Sequence, residues 1–163
     1  MAQTAFRQSS EEKNRKKPRK NTIRGKIMEI LTAQEALIYI MVTTSAADAA
    51  VSDNELKLIS EIVARLPVFS GFDEERLDAL AAECCSYLGL DDGLERILEM
   101  AGAALSARLR DTAYALAVEV AASDLDVRQE ELMFLQILRE HFELEDLTVA
   151  AIERSARIRF RKA

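Results

Sequence analysis

SAADAAVSDNEL, residues 45–56, returns as AASDLDVRQEEL at residues 121–132. The two stretches align without a gap at an offset of 76, with Asp48 on Asp124, Val51 on Val127, Glu55 on Glu131 and Leu56 on Leu132. The match extends outward. Leu56, Ile59, Ile62 and Leu66 fall on Leu132, Leu135, Leu138 and Phe142, and upstream Ile40 and Val42 fall on Leu116 and Val118. The apolar spacing is that of helices. A helix–turn–helix unit is therefore written twice. Two like hairpins in one small chain are expected to pack about a pseudo-twofold axis, which would bring the two turns together.

The wider composition agrees with a helical fold. The chain has 163 residues, 49% of them apolar and 31% charged, with five Gly, two Pro and no Trp. That is enough chain for one core and few helix breakers. Seven helices are expected: about 34–47, 53–66 (ended by Pro67), 73–88 (opened by Asp73, Glu74 and Glu75, ended by Gly89), 93–106, 109–123, 128–141 and 146–159. The sixth reads as an apolar stripe of Leu132, Leu135, Leu138 and Phe142. Tyr39 and Tyr114 read as core, and Val51 and Val127 as plugs between paired helices. The expected class is an all-α compact bundle with an internal hairpin repeat.

The net charge of −6 conceals an asymmetry. Residues 1–26 carry nine Lys or Arg against Glu11 and Glu12, and residues 154–163 add Arg154, Arg157, Arg159, Arg161 and Lys162. The body between them is strongly acidic. Residues 1–26 are expected to form a basic, disordered tail, and residues 27–163 the helical domain. Such a shape suggests tails that dock on the acidic body or touch an anionic surface, and no specific nucleic acid. No apolar run is long enough to span a bilayer, and residues 1–26 contain no secretory h-region. The adjacent Cys84 and Cys85 read as reduced thiols. The cytoplasm is the expected location, with contact at the inner face of the membrane open to the tails.

The repeated turns are the candidate site. If they meet, Asp48, Glu55, Asp124 and Glu131 share one place, and their repulsion must be relieved by protonation, a basic side chain or a cation. Oxygen donors without His or Cys favour Ca²⁺ or Mg²⁺ over zinc. Asp53 and Asp126 lie in the same turns. Capping offers a simpler account of the first copy, where Ser52 and Glu55 fit a capping box. In the second copy Arg128 stands in place of Ser52 and breaks the box. Asp126 with Gln129 could cap there instead, so capping does not require Glu131. That points to a role shared by both copies. No GxGxxG, Walker A loop or HExxH is present, and the single His141 has no nucleophile placed beside it. No catalytic residue is assigned, and an enzyme is not expected.

The two copies AADAAVSDNE (46–55) and ASDLDVRQEE (122–131) resemble the TerB family of tellurite-resistance proteins, whose pattern runs close to A-x-D-G-x-[IV]-x-x-x-E. The resemblance covers roughly residues 30–158 and leaves out the basic N-terminal stretch. It implies a bundle of about seven helices with an internal repeat. It also implies an acidic site for a divalent cation at Asp48, Glu55, Asp124 and Glu131, and a part in stress responses near the membrane through partner proteins. Where the family often has Gly after the Asp, this chain has Ala49 and Leu125. The function expected is a non-enzymatic module whose acidic site binds a divalent cation or a basic partner. The alternatives are a purely structural protein–protein interaction module without metal and, less well supported, a metal-assisted hydrolase.

Overall fold

The computed structural model describes residues 20–23, 26–46, 50–123 and 128–162. A short antiparallel hairpin, β1 (Lys20–Ile23) and β2 (Lys26–Glu29), precedes seven α-helices among these residues. They are α1 (Ala33–Ser45), α2 (Asp53–Arg65), α3 (Leu77–Leu88), α4 (Gly93–Ala104), α5 (Ala107–Ser123), α6 (Gln129–His141) and α7 (Asp146–Arg159). The architecture is an all-α bundle, as the apolar periodicity requires. The hairpin pairs the last part of the stretch expected to be tail, with β2 lying against α4.

Helix α1 is the axis of the bundle. Every residue from Ala36 to Val42 is fully buried. A helix that is apolar all round must be covered on all sides, and α1 touches α2, α3, α4, α5 and α6. Its closest neighbour is α5, whose buried Ala113, Ala117 and Ala121 recur every four residues. Small residues at that spacing form a row on one helix face and let backbones approach. The hairpins α1–α2 and α5–α6 also contact each other crosswise, α1 with α6 and α2 with α5.

Start signals set the helix ends. Thr32 caps α1 in a capping box with Glu35, whose carboxylate accepts the Thr32 amide at 2.8 Å. Ser52 and Glu55 form the same box on α2. The third helix starts later than its acidic run suggests. Residues Glu74–Arg76 make a turn of 3₁₀ helix, capped by Asp73 on the Glu75 amide, and α3 proper begins at Leu77. Asp73 satisfies the first amide by folding the chain tighter than an α-turn. Gly89 ends α3 with φ −71°, an ordinary helical value, so the stop owes nothing to left-handed backbone there.

The sixth helix corrects one reading. Phe134, Leu135, Leu138 and the capping Phe142 are buried, but Leu132 is 56% exposed. Phe134 takes the inward place because α6 is turned toward α1 and α5 rather than continuing the α2-like stripe. Its partner in the repeat, Leu56, is half-buried. Tyr39 and Tyr114 lie in the core as expected. Val51 packs against the core, while Val127 lies outside the described residues.

Candidate functional site

The end of α1, the start of α2 and the start of α6 meet at Arg128. Its Nη2 donates to Glu55 Oε1 at 3.3 Å, to Glu131 Oε1 at 3.1 Å and to the Ser45 carbonyl at 3.1 Å. Each partner has a local reason to be there. Glu55 and Glu131 both stand three residues after an N-cap, and each sends its other oxygen to that cap's amide, Ser52 at 2.8 Å and Arg128 at 2.9 Å. Ser45 is the last residue of α1, and its carbonyl is one of the acceptors a helix end leaves unpaired. A guanidinium at that end also faces the negative pole of the helix.

The second capping box is thus half kept. A guanidinium has no acceptor, so Arg128 cannot take the Glu131 amide as Ser52 takes that of Glu55. Glu131 nevertheless caps the Arg128 amide, so capping does use Glu131, while the alternative cap expected from Asp126 with Gln129 turns on Asp126, which lies outside the described residues. The cluster is graded in exposure. The Glu131 side chain is 6% exposed, that of Glu55 29% and that of Arg128 37%. The buried glutamate therefore holds the innermost half of the ion pair, where screening is weakest.

Of the four carboxylates, Glu55 and Glu131 come together on Arg128, whereas Asp48 and Asp124 lie outside the described residues, as does Asp126. Among the described residues no group of three or more His, Cys, Asp or Glu side chains is placed to hold a metal ion. The oxygens of Glu55 and Glu131 are spent on Arg128 and on backbone amides, so these two carboxylates by themselves do not fit a metal. Relief of their repulsion comes from a basic side chain. The sequence signal for this was Arg128, which stands opposite the capping Ser52 of the first copy.

Beside Arg128 lies a crevice of about 150 Å³, with Leu88, Leu94 and Phe134 in its walls and Thr43, Thr44 and Glu131 adding polar atoms. It is smaller than the roughly 300 Å³ at which small-molecule sites begin. Thr44 is spent on the Ile40 carbonyl at 2.8 Å, and the Thr43 hydroxyl lies 3.6 Å from Cys84 Sγ. Burial pushes the Cys84 thiol up to about 12, and burial also raises the half-buried Cys85 thiol. Both thiols are poor nucleophiles in these settings. His141, at the end of α6, places Nε2 3.1 Å from the Leu98 carbonyl and joins α6 to α4.

A second charged centre joins α1 to the approach of α3. The Glu35 carboxylate accepts from the Arg76 guanidinium and from the Thr32 amide. Burial works to raise its pKa, but the Thr32 amide, the Arg76 guanidinium and the Thr32 hydroxyl outweigh it, and Glu35 is held below its ordinary value. Glu35, like Glu55 and Glu131, is a glutamate set three residues after an N-cap and paired to an arginine.

No protein-family model matches the chain, and no curated protein or solved structure matches it. Among the described residues no helix is long and apolar enough to cross a membrane.

Proposed function

We propose that the chain is a non-enzymatic, TerB-like interaction module in which the repeated carboxylates serve two ends. Glu55 and Glu131 clamp the two hairpins through Arg128, and the repeated Asp48 and Asp124 serve to bind a basic partner segment. The observation that carries this reading is the triple engagement of Arg128 Nη2 by Glu55, Glu131 and Ser45. It supplies the counter-charge for which a metal would otherwise be needed. The acidic body between two basic ends supports a basic partner.

The divalent-cation reading keeps one specific support. Asp48 and Asp124 sit at equal distances in sequence from the two clamped glutamates. Ca²⁺ or Mg²⁺ would have to be held chiefly by those two aspartates. A hydrolase has less behind it, because the crevice beside Arg128 is small and its walls are mostly apolar.

One experiment separates the readings. Thermal unfolding of the full chain is followed with EDTA, Mg²⁺, Ca²⁺ or Mn²⁺, and binding of fluorescein-labelled hexa-arginine is followed by anisotropy. The expected result is a midpoint unmoved by cations and hexa-arginine binding that weakens as salt shortens the screening length. That binding is lost in the Asp48→Asn, Asp124→Asn double variant. A cation that raises the midpoint of the parent but not of this double variant would replace the proposal with a cation site.

A further inference from the structure

An open groove of about 420 Å³ runs between α5, α6 and the C-terminal half of α7, and it shares no lining residue with the crevice beside Arg128. Val118, Ala121 and Ala156 form its floor, with Leu132, Leu135 and Phe160 along its sides. Floor residues this small leave room for large side chains from outside. Leu132, which lines the groove, is 56% exposed, and Met133, the next residue of α6, is 58% exposed. Leu132 is the residue that the repeat placed in the core and the fold turned outward. Exposed apolar residues that line a groove mark an interaction site more than a solvated face does.

The rim on the α7 side is basic. Arg157 lines the groove from α7, with Arg154 three residues before it on the same helix face, and Arg161 lines it from just beyond the end of α7. Glu153 also lines the groove, but its carboxylate accepts from the Tyr114 hydroxyl at 2.9 Å and lies 3.9 Å from Arg157. Arg159, on another face, is engaged by Glu119 at 3.0 Å.

We infer that this groove is a receptor for an acidic amphipathic helix of a partner protein. The helix lays leucine-sized anchors at i, i+3/i+4 and i+7 on the floor and sets Glu or Asp on its flank against Arg154, Arg157 and Arg161. Charge excludes the nearer occupants. Residues 1–19 of the same chain carry six Lys or Arg against Glu11 and Glu12, the same sign as the rim. A second copy docked with like rims together would set arginine against arginine, and in the other groove-to-groove orientation the arginines meet the α6 side, where only Leu132 and Leu135 line the groove.

The inference does not depend on the acidic turns, and its test leaves them untouched. A displayed library of 16-residue peptides is selected on the full chain, and enriched sequences are synthesised and measured by anisotropy. The expected winners are acidic and amphipathic, with affinity reduced at least 10-fold by Leu132→Glu and, separately, by Arg157→Glu with Arg161→Glu. Both variants change exposed or rim positions, and circular dichroism checks that each still folds. Winners that are basic or extended, winners that bind both variants as well as the parent, or no enrichment at all would overturn the proposal. So would phosphatidylglycerol vesicles that bind the parent and lose the Arg157→Glu, Arg161→Glu variant while no peptide binds, since the surface would then be a membrane contact.

Discussion

Glu55 and Glu131, 76 residues apart in sequence, reach the same nitrogen of Arg128, at 3.3 and 3.1 Å. Two positions that the internal repeat makes equivalent are thus joined by Arg128, which stands where the first copy has Ser52. Without the arginine, two carboxylates at the starts of two helices would repel across the hairpin interface. With it, α1, α2 and α6 are fastened at one point.

Arg128→Met should therefore destabilise the chain by about 1–2 kcal/mol, the low end for a partly buried pair because Arg128 and Glu55 are partly solvated. In a chain of this length that lowers the melting temperature by roughly 3–6 °C. A double-mutant cycle with Glu131→Gln should return a coupling of at least about 0.5 kcal/mol. Additive effects, measured by urea denaturation, would show that the clamp is a neighbour contact without energetic weight.

Acid should loosen the start of α1. Glu35 has a folded pKa below the ordinary 4.5, so its unfolded form takes up protons first as the pH falls. Its contribution is present above about that value and is lost as the pH falls through the folded pKa. Glu35→Gln should flatten the stability–pH curve below pH 4.5, and Arg76→Met should flatten it in part. Denaturant midpoints measured from pH 6 downward read the difference, and parallel curves would contradict it.

Alkali should act at Cys84. The thiol ionises near 9.0 when unfolded and is pushed up to about 12 by burial, so the folded state keeps a proton that the unfolded state gives up. The stabilisation is full below pH 9 and is lost as the pH rises toward 12, with a limiting slope of about 1.4 kcal/mol per pH unit. Cys84→Ala should have a shallower alkaline decline. In the native parent at pH 8, a thiol reagent should modify Cys85 slowly and Cys84 only on unfolding.

Two backbone sites should respond in opposite directions. A Cβ at Gly93 would lie 1.8 Å from the Tyr87 carbonyl oxygen, where α4 starts against the end of α3. Gly93→Ala should cost about 1–3 kcal/mol, since backbone must shift to admit it. Glu143 follows the end of α6 at φ +52°, with the Leu144 amide closing back on the Arg139 carbonyl at 3.0 Å. That left-handed position suits glycine, and Glu143→Gly should stabilise by about 1 kcal/mol. Thermal midpoints of the two variants should move apart.

Short-range chemistry made much of this fold legible from the sequence. Pro67, the Ser52–Glu55 box and the 3.6-residue apolar periods act within a turn or two, so helix number and most boundaries followed from the residues alone. The convergence of Glu55 with Glu131 was also foreseeable, because a repeated hairpin tends to pack on its copy. The start of α3 at Leu77 was not, because Asp73 and Glu74–Glu75 are equally good openings for an α- or a 3₁₀-turn.

The sequence by itself determined the all-helical class, the duplicated hairpin, and the charge split between acidic body and basic ends. Tertiary structure decided which charges and which apolar faces are satisfied. Arg128 closes on Glu55 and Ser45 only because α1, α2 and α6 cross at one point, a relation between residues more than 70 positions apart. Leu132 faces outward because the rotation of α6 about its own axis is fixed by Phe134, Leu135 and Leu138 packing inward. Helical periodicity says that a stripe will be buried. The packing of the neighbouring helices settles which side of the stripe remains outside, and here it leaves a leucine beside a row of arginines.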